Sequence, residues 1–104
     1  MNYQVVLCTC PNSQNAKEIA KSLVQKKYAA CVNIIPNIIS VYRWQDNIEC
    51  DDEIQLVIKT TKDKFKAVSN EIKRLHPYDT PEVIAMSIQQ GDEDYLNWIK
   101  ESLK

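Results

Sequence analysis

Residues 31–59 read CVNIIPNIISVYRWQDNIECDDEIQLVIK, and this stretch decides the fold. Over 31–44, and again over 48–59, the pattern drops towards a period of two, the period of side chains along a β-strand. The two runs are separated by the polar triplet Gln45, Asp46 and Asn47, so they predict one long β-hairpin. Pro36 stands inside the first arm, where it donates no ladder hydrogen bond, and a bulge or a sheet edge is expected there. At the far end Tyr42, Arg43 and Trp44 face an acidic run of Glu49, Asp51, Asp52 and Glu53. Strands rise about 3.3 Å per residue, so this end outruns the core of a small domain and its aromatics require cover from elsewhere.

Upstream of the hairpin, YQVVLCTC (3–10) is short and rich in apolar residues and ends at Pro11 and Asn12, which predicts a mostly buried strand. A helix follows, with Asn12 or Ser13 as N-cap and Ala16, Ile19, Ala20, Leu23 and Val24 on one face. Downstream, TKDKFKAVSNEIKRL (61–75) returns to a helical period, with Thr61 as candidate cap and Phe65, Val68, Ile72 and Leu75 on one face. This helix must stop before Pro77, because the residue preceding a proline is pushed out of the helical region. EVIAMSIQ (82–89) predicts a strand, and Gly91 with Asp92 opens a final helix that is acidic at its start and basic at its end, as the helix dipole prefers. The order β, α, β, β, α, β and a terminal helix predicts an α+β, ferredoxin-like split β-α-β sandwich. Its four-stranded antiparallel sheet would carry two helices on one face. The other face is left for solvent, the terminal helix or another chain, and oligomerisation accounts best for the aromatic hairpin.

With 104 residues the chain makes a single domain, 1–104. Its 13 basic residues nearly balance 14 acidic ones, which argues against a nucleic-acid partner. A single glycine, Gly91, excludes a glycine-rich phosphate loop. No apolar run reaches the roughly 20 residues of a bilayer span, and no signal peptide is evident, so no membrane partner and a cytoplasmic location are expected. There the four cysteines stay reduced, as buried thiols or metal ligands rather than disulfides.

The only histidine, His76, opens HPYDTPE (76–82), a loop stiffened by two prolines. A histidine here can simply cap the preceding helix, or it can serve a site among Tyr78, Asp79, Thr80 and Glu82. Cys8 and Cys10 lie two apart on a strand and point to one face, either as small hydrophobes or as ligands. Cys31 fits a core position, and Cys50, within IECDDE, fits an exposed one. Asp51, Asp52 and Glu53 form no calcium motif and read as a solvated strand start or as partners for basic groups of a neighbouring subunit. His76 with Glu82 or Asp79, Cys8 and Lys59 could be assembled on paper into a catalytic set, but no second motif supports it, and catalysis is not expected.

VVLCTCP, KYAACVNIIP leading into SVYRW, EIQLVIKTT, HPYDTPE and GDEDYLNWI stand in the order and spacing of the CutA divalent-cation tolerance family, which the chain resembles over nearly its whole length. The resemblance implies a ferredoxin-like homotrimer in which hairpin arms pair across subunits and the terminal helix joins the contact. It also implies tolerance of copper and other divalent cations, copper binding and no assigned reaction. Copper ligands of the family map onto Cys8 and His76, and Leu75 stands where a second histidine can occur. The expected metals are copper, as Cu2+, and Zn2+. A PII-like signalling or scaffolding trimer is the alternative, with a small molecule bound in a cleft at the subunit boundary. Tyr42, Trp44, Lys59, Tyr78, Glu82 and Trp98, with His76, would build that cleft, although interface packing is the simpler role for the aromatics.

Overall fold

The computed structural model describes residues 2–104. The chain runs β1 (Tyr3–Cys10), α1 (Ser13–Gln25), β2 (Cys31–Trp44), β3 (Asn47–Thr61), a 3-10 turn (Lys62–Lys64), α2 (Phe65–Leu75), β4 (Ile84–Ser87) and α3 (Glu93–Ser102). The four strands form one sheet in the order β2-β3-β1-β4, antiparallel throughout. This is the expected split β-α-β arrangement, with β1 inserted between β3 and β4. The long hairpin stretches the chain to 45 × 25 × 22 Å.

Local chemistry explains where most elements begin and end. The Asn12 side chain accepts from the Asn15 N–H and caps α1, and the Asp92 side chain accepts from Tyr95 N–H and caps α3. Thr61 heads the 3-10 turn rather than α2, its hydroxyl donating to Asp63. α2 ends at Leu75, and His76 is already extended (φ −81, ψ 137) ahead of Pro77. Only Gln45 and Asp46 make the hairpin turn, both with positive φ (50 and 67), while Asn47 already pairs with Trp44. Two left-handed residues in succession match the twist of the flanking strands. At Pro36 the register shifts between Ile35 and Ile38, and Asn37 takes φ 62, so the expected bulge forms on a strand that is also an edge.

Side-chain alternation divides the sheet into two faces. Val6, Cys8 and Cys10 of β1 and Leu56 and Ile58 of β3 are fully buried on the face covered by α1 and α2, against Ala16, Ile19, Leu23, Val68 and Ile72. Each aliphatic side chain of this core contributes about 1.5–3 kcal/mol relative to exposure. The two helices are tied together by Glu71, which is 5% exposed. Its carboxylate accepts from Ser22 Oγ, from Arg74 Nε (3.0 Å) and Nη2 (2.7 Å), and pairs with Lys26 Nζ at 3.0 Å. The Arg74 guanidinium above all holds the Glu71 carboxyl well below the usual carboxylate range, against the opposing effect of burial.

The opposite face is only partly covered. α3 packs there through Ile99 and Leu103, which join Ala30, Tyr3 and Leu96 in a second, smaller cluster. Beyond it Ile84 and Met86 of β4 stand half exposed, as do the stacked rings of Tyr95 and Trp98. Two expectations are corrected. Val24 lies outside the core, 44% exposed beside an open groove with Val32 and Ile34. Cys31 is half-buried, and its register opposite Lys59 places it on the face away from α1 and α2. No helix among the described residues is long and apolar enough to cross a membrane.

Candidate metal centre

One end of the domain gathers the end of β1, the start of α1 and the end of α2. The Asn15 side-chain amide donates to the Leu75 carbonyl at 3.2 Å, holding the first turn of α1 against the last turn of α2. Alternation along β1 turns Cys8 and Cys10 to the same face. The extended conformation at His76 then swings its ring over the end of β1. One donor atom each from Cys8, Cys10 and His76 lies within 4.8 Å of the others, and all three residues are buried. Among the described residues no other group of three histidine, cysteine or carboxylate side chains converges in this way.

The hydrogen bonds around His76 identify its tautomer. Nε2 lies 2.7 Å from the Thr9 carbonyl, which can only accept, and Nδ1 lies 3.1 Å from the Tyr78 N–H, which can only donate. The ring is therefore neutral with its proton on Nε2. The imidazole acts as a cap between two backbone groups, and it also packs at 4.6 Å against the Tyr78 ring. The two thiols are coupled. An S–H···S contact with Cys10, reinforced by burial, pushes the Cys8 thiol far up, and the same contact lowers Cys10. Cys10 precedes Asn12, the N-cap of α1, by two residues in the chain.

A polar track runs from this centre along the other face of the sheet. Glu82 accepts from Thr9 Oγ1 at 2.8 Å and from Gln55 Nε2 at 3.4 Å. Glu53, only 8% exposed, accepts from the Tyr78 hydroxyl at 2.8 Å, and Asp51 accepts from the Tyr42 hydroxyl. Burial, then the bond to Glu53, raises the Tyr78 phenol, while the bond to Asp51 pushes Tyr42 up to about 12. Within the chain these two acids are thus partners of tyrosines. The remaining cleft candidates lie elsewhere. Lys59 bonds Asn33 four residues along β3 from Gln55, roughly 13 Å away at strand spacing. Trp44 sits at the hairpin tip and Trp98 on α3. Within one chain, therefore, Tyr42, Tyr78 and Glu82 line a common track that Trp44, Lys59 and Trp98 do not join.

Sequence reasoning gave Cys10 less weight than its neighbour, yet it contributes to the cluster on equal terms with Cys8. The Cys-x-Cys alternation was the available signal. Asn15 and Glu53 carried none, because their roles depend on elements distant in the chain.

The model of the family described as CutA1 divalent ion tolerance protein matches residues 4–102. The chain belongs to this family. It is 44% identical over 99 residues to the divalent-cation tolerance protein CutA of Thermus thermophilus, a match covering 95% of this chain and 96% of the relative. It is 45% identical over 93 residues to Protein CutA of Homo sapiens, covering 89% of this chain and 52% of the relative, so it spans about half the length of that protein. The solved structure of a CutA from Archaeoglobus fulgidus, described as a periplasmic divalent cation tolerance protein, superposes with a TM-score of 0.96 at 39% identity over 98% of this chain and 99% of that one. Membership of the CutA1 family confirms the ferredoxin-like sheet and its helices. Within the CutA1 frame, Cys8 and His76 occupy one end of the domain, and Cys10 completes their cluster.

Proposed function

We propose that the chain is a metal-binding tolerance protein that holds copper, or a related divalent cation such as Zn2+, at the Cys8, Cys10 and His76 cluster. The convergence of three buried donors within 4.8 Å carries this reading. Thiolate and imidazole are the ligand types that copper and zinc prefer, and Cys10 adds a donor to a family pattern in which Leu75 replaces a second histidine. The role is binding rather than catalysis: the histidine is held by two backbone groups and lacks a carboxylate partner of the kind that orients a general base.

Assembly as a homotrimer belongs to the same reading. The unpaired outer edge of β2, the exposed apolar residues of the distal hairpin and the half-covered face beside α3 all suit burial against further copies. A cytoplasmic location fits four unpaired cysteines, although the Archaeoglobus relative is described as periplasmic. Cell fractionation decides between the two compartments.

The test is a calorimetric titration of reduced protein with Cu(II) and with Zn(II), on wild type and on Cys8→Ser and His76→Ala, with particle mass from light scattering. Stoichiometric binding that at least one of the substitutions weakens, in an assembly of unchanged mass, supports the reading. Absence of binding, or binding that neither substitution alters, removes it.

A further inference from the structure

The three donors of the cluster are not equally free to bind. His76 holds the Thr9 carbonyl through Nε2 at 2.7 Å and receives the Tyr78 N–H at Nδ1 at 3.1 Å. Coordination through Nε2 would remove a proton and strand a carbonyl, and coordination through Nδ1 would strand an N–H. Either loss is costly at a residue only 7% exposed. Apart from their contact with each other, the sulfurs have no comparable commitments. Cys8 makes a 4.0 Å contact with the Thr9 carbonyl, at the outer limit for a thiol donor.

Cys8 and Cys10 are both 0% exposed, and no carboxylate belongs to their cluster. Hard cations that require six or more oxygen ligands therefore find nothing suitable here. A structural zinc site normally takes four protein ligands, more than this cluster offers. Soft cations that accept few ligands and prefer sulfur do match.

We propose that Cys8 and Cys10 together form a buried dithiolate that binds one thiophilic, low-coordinate cation, Cu(I) above all, while His76 keeps its backbone bonds and closes the site. The proposal rests on the reading of this cluster as the metal centre and specifies its donors and oxidation state. Binding exchanges the two thiol protons for one Cu+, and no electron is transferred. The resulting site carries a single negative charge.

The test is an anaerobic competition for Cu(I) against bathocuproine disulfonate, read by absorbance, on reduced wild type, Cys8→Ala, Cys10→Ala and His76→Asn. Melting followed by circular dichroism reports the fold of each. The expected result is one Cu(I) per chain, weakened at least about 100-fold by either cysteine substitution and less than about 10-fold by His76→Asn. X-ray absorption of Cu(I)-loaded wild type needs no substitution and should find two sulfur neighbours. If Cys10→Ala binds like wild type while Cys8→Ala and His76→Asn do not, or if absorption finds one sulfur, the dithiolate is overturned and the broader metal-binding reading stands. If wild type takes up neither Cu(I), Cu(II) nor Zn(II), both fall.

Discussion

The two halves of the β2–β3 hairpin share one ladder and one alternation of side chains, but they live in different environments. In the proximal half, up to the bulge at Pro36, Leu56 and Ile58 are fully buried beneath α1 and α2. In the distal half Ile39 and Val41 are each 67% exposed, Trp44 61% and Ile48 64%. Strand propensity is as strong in one as in the other, so propensity does not decide burial. What differs is the helix-covered core, which takes in Val32, Ile34, Ile54, Leu56 and Ile58 of the hairpin but no residue of its distal half. The proximal half is covered by its own chain, whereas the distal half is left uncovered by it.

The largest effect expected from testing this contrast is on assembly. If the chain assembles as the trimer proposed above, Val41→Asp combined with Trp44→Asp should reduce the particle mass in light scattering to that of one chain, while the far-ultraviolet circular dichroism at low temperature keeps its shape. An unchanged mass would show that the distal half is not the assembly surface. Next comes Leu56→Ala in the proximal half, which should cost about 3–4 kcal/mol of stability in urea melts. If it costs no more than a substitution at exposed Val41, the two halves are not distinct.

A smaller loss, about 2 kcal/mol, is expected from Glu71→Ala, which frees α1 from α2 without touching the hairpin. Because the folded carboxyl is depressed below its ordinary value of 4.5, its contribution is fully present above that pH and is lost as pH falls through the folded value. The gap between wild type and variant should therefore be constant at neutral pH and close on acidification. A gap that persists undiminished in acid would assign the loss to packing. Smallest of all, Asp46→Gly at the tip, where φ is 67, should raise stability by about 0.5 kcal/mol, since glycine suits the second position of this turn. Destabilisation instead would mean that the Asp46 side chain holds the distal half in place.

Much of the architecture was legible because it is governed by local physics. Caps at Asn12 and Asp92, the stop before Pro77 and the bulge at Pro36 all follow from the chemistry of one or two residues. Errors arose where neighbours in space set the outcome. Val24 has the helical spacing of a core residue but lies at the margin of the helix layer, where the edge strand leaves a groove open. Glu71 sits within the apolar stripe of α2, between Val68 and Ile72, and nothing in its immediate sequence announced Ser22 and Lys26 of α1 as partners.

The candidate centre divides along the same line. By itself the sequence determined that Cys8 and Cys10 share a face and that a proline holds His76 out of its helix, since strand alternation and the restriction before proline are local rules. Only the tertiary structure decided that these groups meet. Packing of α2 on the helix-covered face carries His76 back to the Thr9 carbonyl, 67 residues away in the chain. Tertiary structure also decided that both ring nitrogens would be engaged by backbone. Such contacts depend on the docking of whole elements through burial of their apolar faces, and no short window of sequence encodes that docking.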